Sequence, residues 1–571
     1  MYCKECELET KEEICPKCGA KTQEDIPTEV FWCNSCQAPI IKEVTAVDKN
    51  ICPLCGKETT YMAKDVRPVF PEEARLIELL IKKPFIWLNK SIWCSDNRYY
   101  VDGKAISINF KKYDTMNIEN LIKELETNKQ KRDVNFDEYI KIFCKANKER
   151  LIYLENESFA FIKKEASKYS QEQLLISFSG GKDSTVVADL VKRALSNPCL
   201  AHIYGDTTLE FPLSYEYVAR YKKDNPRTII KVAKNKEQNF YDVCEDIGPP
   251  ARMMRWCCTM FKTGPITRAI NSLFRDKKIL TFYGIRKSES ISRSKYDRVA
   301  DGADVKIQKQ KVASPIFYWS DLDIWLYLFS NEVDFNDAYR LGYDRVGCWC
   351  CPNNNVRAQF LSSIYMPEQY KRWRDYLISF AKAIGKPDPE EYVDGGWWKA
   401  RQGGNGLKAS EDVKIKFTNC TAEDNAKIYS LSKPIDESFY EMFVPFGKVS
   451  KDLGRKLIKE VLVLDLTTNV PIISIQPFNQ TGYEYSVKIK TMNVSSHEDL
   501  QRMIGYQIRK FNACRQCLKC ESVCSFGAIT INKYGYHIDS SKCKRCKKCV
   551  TPKYLSGGCL MDRFLKVRKD S

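Results

Sequence analysis

The chain has 571 residues, too many for one hydrophobic core, so we expect about three to five domains. A hydrophobic content of 43% with 12% aromatic residues excludes a largely disordered protein. No apolar run approaches the roughly 18 residues of a membrane span, and the first residues do not resemble a signal peptide. These features predict a cytoplasmic protein that does not enter a membrane.

The formal net charge of +18 suggests a nucleic-acid partner, but it counts all 26 cysteines as neutral. Cytoplasmic thiols stay reduced, so ordered cysteine pairs indicate metal sites before disulfides. Because the chain has three histidines, most metal ligands must be thiolates.

Residues 1–60 contain two pairs of Cys-x-x-Cys knuckles. The second knuckle of each pair reads Cys-Pro-x-Cys-Gly, and its glycine accepts a left-handed conformation that turns backbone N–H groups towards sulfur. Two facing knuckles give four tetrahedral sulfurs, which suits Zn²⁺, although the spacing also fits iron in a rubredoxin-like site. The predicted zinc ligands are Cys3, Cys6, Cys15 and Cys18 in the first ribbon and Cys33, Cys36, Cys52 and Cys55 in the second. Without a basic–aromatic stripe, we favour a structural role over docking of nucleic acid or protein.

Residues 61–150 are predicted to form a small strand-rich unit followed by a helical linker. Short apolar runs flank Asp102-Gly103, and the charged segment 113–135 has the composition of helix and linker. The sequence assigns no chemistry to this region.

Residues 151–400 are predicted to form an α/β domain with a parallel sheet. Apolar strand candidates at 174–178, 200–205, 227–233 and 278–285 alternate with helical stretches. Ligands of such sheets bind at the carboxyl ends of the strands.

The most informative stretch is 174–185, which reads LLISFSGGKDST. Its apolar half has the composition of a buried parallel strand, and Thr185–Leu195 repeats apolar residues at helical spacing. The two glycines between them permit positive φ and bring backbone N–H groups close to a ligand. The helix N-terminus and the mobile cation of Lys182 would favour phosphate or sulfate there. The string lacks the GxxxxGK[ST] spacing of the nucleoside-triphosphate P-loop.

Further polar groups follow the later strands of the predicted sheet. Arg286 and Arg293 are placed to hold a sulfate or phosphate bidentately, with ordinary surface ion pairing as the alternative. Asp183 and Ser184 can cap the helix, or bind a metal or ribose. The predicted nucleotide-binding residues are Ser177, Ser179, Gly180, Gly181, Lys182, Asp183, Ser184, Asp206 and Glu289.

The SGGKDS string resembles the PP-loop of the adenine nucleotide alpha hydrolase superfamily, which includes ATP pyrophosphatases and PAPS (phosphoadenosine phosphosulfate) reductases. Between about residues 170 and 375, RWCC with a lysine four residues after its second cysteine, GIRxxES and GYxxxGCxxC are similar to motifs of the PAPS and adenylyl-sulfate (APS) reductase family. The resemblance implies an adenine nucleotide (APS, PAPS or ATP) as ligand. It also implies catalytic roles for Lys182, Lys262, Arg286 and Arg293.

The same resemblance implies a [4Fe–4S] cluster in the middle of the chain. Its ligands would be Cys257, Cys258, Cys348 and Cys351, with Cys350 as a spare or substitute, and a zinc site is the alternative. One departure matters, because the family's reductases carry a nucleophilic cysteine in a mobile tail, whereas residues 396–410 (GWWKARQGGNGLKAS) contain none. The thiosulfonate mechanism of that family is therefore in doubt.

Residues 401–508 are predicted to form an α+β connecting domain with strands at 461–466, 471–476 and 483–490 and a helix near 497–511. Residues 509–571 then contain two Cys-x-x-Cys-x-x-Cys runs of the bacterial two-cluster ferredoxin type, in which the fourth cysteine of each run serves the other cluster. The predicted ligands are Cys514, Cys517, Cys520 and Cys559 for one [4Fe–4S] cluster, and Cys543, Cys546, Cys549 and Cys524 for the other.

These assignments predict three [4Fe–4S] clusters and two zinc ions, or about twelve Fe and two Zn per chain. Their thiolates lower the net charge to about +8, so charge supports nucleic-acid binding only weakly. The basic residues of the CKRCKKC run would offset cluster charge or guide an acidic electron donor protein.

The favoured function is an iron–sulfur oxidoreductase of the PAPS reductase family, which binds APS or PAPS at the PP-loop and reduces it through the fused ferredoxin. The alternatives are an ATP-dependent sulfurtransferase that thiolates tRNA or DNA, and a non-enzymatic nucleotide-binding redox sensor.

Overall fold

The computed structural model describes all residues except 1, 4, 7, 11, 21, 23–25, 111–117, 128–134, 275–276, 302–306, 308, 553–556 and 568–571. Part of the predicted helical linker, at 113–117 and 128–134, lies outside the described residues.

Three small antiparallel sheets form the N-terminal region. The two ribbons contain a two-stranded and a three-stranded sheet, and a four-stranded meander follows, in the orders β1-β2, β4-β3-β5 and β6-β7-β8-β9. These strands are β1 (Tyr2–Cys3), β2 (Leu8–Glu9), β3 (Thr28–Cys33), β4 (Ala38–Glu43), β5 (Thr60–Ala63), β6 (Arg67–Pro68), β7 (Ile92–Ser95), β8 (Arg98–Val101) and β9 (Lys104–Ser107). The accompanying helices are α1 (Pro71–Leu80), α2 (Ile118–Thr127), α3 (Phe136–Ala146) and α4 (Lys148–Ala166).

A six-stranded sheet forms the centre of the molecule, in the order β12-β11-β10-β13-β15-β14. Its strands are β10 (Leu174–Phe178), β11 (Ala201–Asp206), β12 (Ile229–Lys234), β13 (Ile279–Phe282), β14 (Val299–Ala300) and β15 (Gln310–Ala313). All neighbours pair in parallel except β14, which runs antiparallel to β15. The predicted parallel α/β fold is confirmed.

Helices cover this sheet and extend beyond it. They are α5 (Lys182–Ala194), α6 (Pro212–Asp224), α7 (Phe240–Ile247), α8 (Trp256–Cys258), α9 (Gly264–Phe274), α10 (Asp321–Ser330), α11 (Val356–Tyr365), α12 (Pro367–Ala383), α13 (Pro389–Asp394) and α14 (Ala409–Asp412). The strand β10 is buried at Leu174, Leu175 and Ile176, as expected for a central strand covered on both faces. Phe70 from the preceding region belongs to the same core, so the meander and the central sheet pack as neighbours.

The C-terminal third begins with a six-stranded antiparallel sheet in the order β16-β17-β21-β20-β19-β18. Its elements are β16 (Phe417–Asn419), β17 (Ala426–Leu431), α15 (Glu437–Glu441), β18 (Lys448–Ser450), β19 (Val461–Leu464), β20 (Pro471–Phe478), β21 (Tyr485–Thr491) and α16 (His497–Ala513). The cysteine-rich segment adds α17 (Lys519–Val523), β22 (Ile529–Asn532), β23 (Gly535–Ile538) and α18 (Leu560–Leu565). Ile504 and Ile508 of α16 share one core with Leu518 and Ile529, so the sheet and the cysteine-rich segment pack together.

Candidate functional site

The SGGKDS loop (Ser179–Ser184) joins β10 to α5 at the carboxyl end of the central strand. Gly180 has a φ of 72°, in the left-handed region that favours glycine. The Ser184 hydroxyl accepts a hydrogen bond from the Ser179 N–H at 3.1 Å and donates one to the Gly181 carbonyl at 2.8 Å. The helix begins at Lys182, three residues earlier than the apolar pattern indicated, so the loop is short and held by its own side chains.

The cations at this loop are held by carboxylates. Lys182 is 4% exposed, and its Nζ lies 3.1 Å from Asp321 Oδ1. Arg286 is 5% exposed, contacts Asp183 and donates to Asp321 at 2.8 Å. Burial alone would lower the pKa of Lys182, but Asp183 and Asp321 outweigh it and raise that pKa. The expectation of a mobile Lys182 is therefore wrong, because Asp321 approaches from another part of the chain.

Asp65, which sequence reasoning missed, reaches the same place from the segment between β5 and β6. Its carboxylate accepts hydrogen bonds from the N–H groups of Asp321 at 2.7 Å and Leu322 at 3.1 Å, at the start of α10. Burial, and then the charge of Asp321, raise the pKa of Asp65 to about 7. A single aspartate in a region without motifs gives no signal in the sequence.

The remaining predicted nucleotide and catalytic residues divide into two groups. Ser177, Glu289 and Arg293 line the large cleft described below, and Arg293 is ion-paired with Glu289. Asp206 accepts hydrogen bonds from Tyr215 and from the Thr208 N–H, and it pairs with Lys234 at 3.3 Å. Asp206 is not among the described residues that line the cleft. Arg286 and Arg293 both form ion pairs, but Arg286 is buried, so its pairing is not that of an ordinary surface arginine.

The central cysteine set (Cys257, Cys258, Cys348 and Cys351) lies beside the ends of β10 and β11. A hydrogen bond with Cys258, then burial and the charge of Cys348, raise the pKa of Cys257 well above its ordinary value. Burial, together with the charge of Cys258, likewise raises the pKa of Cys351. The two halves of the set are thus brought together from positions about ninety residues apart in sequence.

Cys350, the spare, shares its apolar surroundings with part of the central set. It is 5% exposed and packs with Trp256 and Trp373 in a cluster that Cys257 and Cys348 also contact, whereas Cys258 lines the cleft. Thr207 Oγ1 lies 3.4 Å from Cys348 Sγ and supports the turn that carries it.

The predicted C-terminal ligand sets each combine cysteines of the two sequence runs. Burial and then the charges of Cys559 and Cys520 raise the pKa of Cys517, so Cys559 lies near the first run. Burial and the charge of Cys524 likewise raise the pKa of Cys543. We name Cys514, Cys517, Cys520 and Cys559 the proximal set, and Cys524, Cys543, Cys546 and Cys549 the distal set.

The backbone around both C-terminal sets fits an anionic cluster. Gln516 and Leu518 have φ values of 52° and 61°, and Arg545 and Lys547 repeat the pattern at 52° and 59°. Alternating left-handed residues turn successive N–H groups into one concave surface, as in many Fe–S sites.

A buried lysine also fits this interpretation. Lys510 of α16 is 1% exposed, and its Nζ has no hydrogen-bond partner in the described part of the chain. Burial would lower its pKa, but the thiols of Cys520 and Cys549, from both sets, outweigh it and raise that pKa. A buried ammonium needs nearby negative charge, which cluster thiolates and sulfides supply when bound.

The N-terminal ribbons differ in geometry from these sets. The Sγ atoms of each ribbon lie within 4.8 Å of one another, with Cys3–Cys18 and Cys33–Cys55 at 3.5 Å and Cys36–Cys52 at 3.8 Å. A Zn–S bond of about 2.3 Å places tetrahedral sulfurs about 3.8 Å apart, so both ribbons could bind Zn²⁺. Among the residues described, no further histidine, cysteine or carboxylate group is this compact. The wider sets suit a cubane, in which each sulfur binds a different iron.

A single cleft of about 2050 Å³ joins these features. Its wall contains the SGGKDS loop, Cys258, and Lys519, Leu560 and Phe564 of the cysteine-rich segment. Eight further cations line it without an ion pair among the residues described, and sequence reasoning missed all but Lys262: Lys64, Arg252, Arg255, Lys262, Lys295, Arg345, Arg563 and Lys566. Because the loop cations are neutralised by aspartates, these are the groups available to an anionic substrate.

The segment that corresponds to the reductase tail is packed in place. Lys399 is buried, and its Nζ donates to the Asn354 carbonyl at 2.9 Å, next to the turn of the central set. A Cβ on Gly404 would lie 2.6 Å from the Leu565 carbonyl of α18, so the chain passes directly against that helix. Gln402 and Gly403 of this segment and Phe564 of α18 border the cleft together.

Comparison with known proteins agrees with the central domain. Residues 173–354 match the family model of the phosphoadenosine phosphosulfate reductase domain. The uncharacterized protein MJ0066 of Methanocaldococcus jannaschii is 30% identical over 271 residues, which are 46% of this chain and 53% of that protein, so the match spans about half of that relative. Adenosine 5'-phosphosulfate reductase 1 of Bacillus subtilis is 27% identical over 194 residues, 34% of this chain and 78% of that protein.

Among solved structures, the PAPS reductase of Candida auris aligns with a TM-score of 0.28 and 17% identity, over 36% of this chain and 96% of that one. No helix among the described residues is long and apolar enough to cross a membrane.

The uncharacterized protein MJ0973 of Methanocaldococcus jannaschii is 31% identical over 304 residues, which are 52% of this chain and 67% of that protein. The chain therefore belongs to the same family as MJ0973, and its residues 173–354 form a phosphoadenosine phosphosulfate reductase domain.

Proposed function

We propose that this protein is an iron–sulfur oxidoreductase that binds APS or PAPS in the cleft and reduces its sulfur with electrons relayed by the C-terminal cysteine sets. The observation that carries the proposal is the shared wall of the cleft. The SGGKDS loop, Cys258 and Phe564 of α18 all border one space, so a bound nucleotide would lie between a phosphate-binding loop and two cysteine-rich elements.

The reaction needs two electrons and no thiol adduct. The bond between sulfur and the bridging oxygen breaks, the oxygen leaves with the nucleotide phosphate, and the sulfur takes both electrons and becomes sulfite. A [4Fe–4S] cluster supplies one-electron storage when bound. The packed, cysteine-free segment 396–410 is consistent with such a route, since no tail thiol is present there to attack sulfur.

Different groups of the chain are expected to bind the phosphate and the sulfate of the nucleotide. The N–H groups at the start of α5 suit a phosphate, and the cations near Cys258 suit the sulfate. Lys262, Arg255 and Arg345 carry the second role because they line the cleft and form no ion pair within 4 Å among the residues described. Stabilising the charge that develops on the leaving oxygen is the expected contribution of this group to the rate.

The test is an anaerobic assay with APS and PAPS separately, reduced methyl viologen as donor, and sulfite as product. The variant Lys262→Gln should lower the rate about a hundredfold, as removal of one oxyanion contact does elsewhere. Lys277→Gln is the matched control, since Lys277 is exposed in the same domain and is not among the described residues that line the cleft. If neither nucleotide yields sulfite from protein with a full iron content, the proposal is wrong.

A second candidate, ATP-dependent sulfur transfer to tRNA or DNA, is favoured by the size of the cleft. Its volume of about 2050 Å³ exceeds the 300–1,000 Å³ or so that is typical of small-ligand pockets. Unpaired cations along the wall would suit a polyanion. Release of pyrophosphate from ATP only when RNA or DNA is added would support this candidate over sulfate reduction.

A further inference from the structure

The two C-terminal cysteine sets occupy different environments. In the proximal set, Cys517 is 8% exposed and shares an apolar cluster with Cys257 and Cys348 of the central set. In the distal set, Cys546 is exposed at the surface. The distal set is therefore exposed to solvent, whereas the proximal set is packed in the core beside the cleft.

The surface around the distal set is strongly basic. Between Asp539 and Asp562 the sequence contains no acidic residue, and five cations surround its three cysteines: Lys542, Lys544, Arg545, Lys547 and Lys548. Lys542 is paired with Asp539 at 2.9 Å. A [4Fe–4S] site with four thiolates carries about −2 when oxidised, so the other four cations leave a local surplus of about +2. Neutralising a cluster does not account for that surplus.

An exposed aromatic side chain lies next to this charge. Phe526 is 40% exposed and borders the small cavity enclosed by the four distal cysteines, which is the space that a cluster would fill. An apolar group with a charged rim is the arrangement found at transient protein interfaces. We name Phe526 and the five cations around the distal cysteines the distal face.

We infer that the distal face is the docking surface for a small acidic electron-carrier protein of the ferredoxin or flavodoxin type. Charge complementarity identifies the occupant, because the surplus of cations attracts an acidic carrier and repels a basic one. Since transfer between proteins slows steeply with distance, the exposed distal set is where electrons enter. The inference rests on the proposed function only for the direction of electron transfer, from the carrier towards the cleft.

Each docking event would transfer one electron. A reduced carrier would give up one electron and leave, and a cluster held by Cys524, Cys543, Cys546 and Cys549 would provide the one-electron acceptor. Two such events would supply the pair that breaks the sulfur–oxygen bond, so two carriers would be oxidised for each sulfite formed.

The test uses the full-length protein with its metal loaded, an acidic flavodoxin as the probe carrier, and no nucleotide. The variant Lys544→Glu/Lys547→Glu/Lys548→Glu should lower the association rate tenfold or more at low ionic strength, within the range of about ten- to a thousandfold for electrostatic steering. The wild-type association should also weaken as salt is added, whereas that of the variant should change little.

Matched controls separate docking from other effects. Lys145→Glu/Lys163→Glu/Lys164→Glu makes the same charge change on exposed residues of α3 and α4 and should leave the association rate unchanged. Iron and sulfide content is measured in every variant, and a glutamine version of the distal triple replaces the glutamate version if the latter loses iron. Basic cytochrome c serves as a carrier of the opposite charge and should bind the distal triple no more weakly than wild type.

The inference is overturned if the distal triple, with its iron intact, binds flavodoxin as fast as wild type, or if the control triple loses as much. Because this measurement omits nucleotide, it is independent of the sulfite assay. Turnover with viologen but without flavodoxin docking would reject the distal face and leave the proposed function standing, and the reverse result would reject the function alone.

Discussion

The N-terminal ribbons and the C-terminal segment both present groups of four cysteines, but in different geometries. In the N-terminal ribbons four sulfurs gather within 4.8 Å, close enough for one ion to bind all of them. In the C-terminal segment the sulfurs stand farther apart, around a concave backbone and a buried ammonium. The geometry of the ribbons suits a single metal ion, whereas that of the C-terminal segment suits a larger metal cluster.

Backbone conformation produces this difference. In the ribbons Gly19 and Gly56 have φ values of 72° and 69°, as the knuckle pattern predicts. In the C-terminal loops Gln516, Leu518 and their counterparts adopt similar angles without being glycine, at a cost in conformational energy that bound anionic clusters can offset. Cysteine spacing therefore informs most when it is considered with the conformations of the residues between.

The largest expected effect follows from removing a proximal ligand. Cys517→Ala should lower iron by about four atoms per chain, leave zinc unchanged and abolish viologen-driven reduction, because the relay loses its buried site. Metal analysis of anaerobic protein and the sulfite assay measure both effects. Cys199→Ala, at an exposed cysteine outside all sets, should change neither. A loss of zinc instead would contradict the division between the two ends.

A smaller effect is expected from a ribbon ligand. Cys36→Ser should release about one of two zinc ions and leave iron unchanged, because local folding depends on a metal-binding free energy of about 10–16 kcal/mol. Reduction should fall only several-fold, since the ribbon acts on the cleft through the segment that carries Asp65. Zinc analysis and limited proteolysis check the first part, and kinetics the second. Complete loss of activity with iron intact would instead indicate that the ribbon takes part directly in the reaction.

A third test concerns the buried charge between the C-terminal sets. Lys510→Met removes a cation that favours electron-rich clusters, so both C-terminal reduction potentials should fall by about 60 mV, a tenfold change for one electron. Redox titration monitored by EPR measures the shift. Lys533→Met, in the turn between β22 and β23, is the control. Unchanged potentials would show that Lys510 has no electrostatic role there.

The smallest expected effect is a pH dependence of stability that arises from Asp65. The pKa of Asp65 is raised to about 7 from an ordinary 3.8, so the folded state favours the protonated carboxyl, and this stabilisation is lost as pH rises from about 4 through 7. Relative to Asp65→Asn, the wild-type melting temperature should fall by a few degrees over that range.

Asp48→Asn provides a control of opposite sign. A hydrogen bond and ion pair with Lys42 lower the pKa of Asp48, so its ionised form is favoured in the folded state and its stabilisation is lost as pH falls. Parallel melting curves for wild type and Asp65→Asn between pH 4 and 8 would contradict the assignment.

Local patterns predicted much of this molecule. The strand, glycine turn and helix around Ser179–Ser184 and the spacing of the cysteines depend on neighbours in sequence, and the parallel sheet follows from alternating elements. Asp65, Arg345 and Lys510 could not be found in this way, because tertiary packing alone brings them to the cleft or to the cysteine sets. The error about Lys182 has the same origin, since its partner Asp321 belongs to α10.

The position of Lys510 has a consequence for biogenesis. An ammonium enclosed in α16 beside two groups of thiols is poorly tolerated in a dry interior unless compensating charge accompanies it. The newly synthesised chain should therefore hold this region open until iron and sulfide are delivered, and then close it. Maturation would thus be ordered by electrostatics, with metallation preceding compaction and underloaded chains left as substrates for proteolysis.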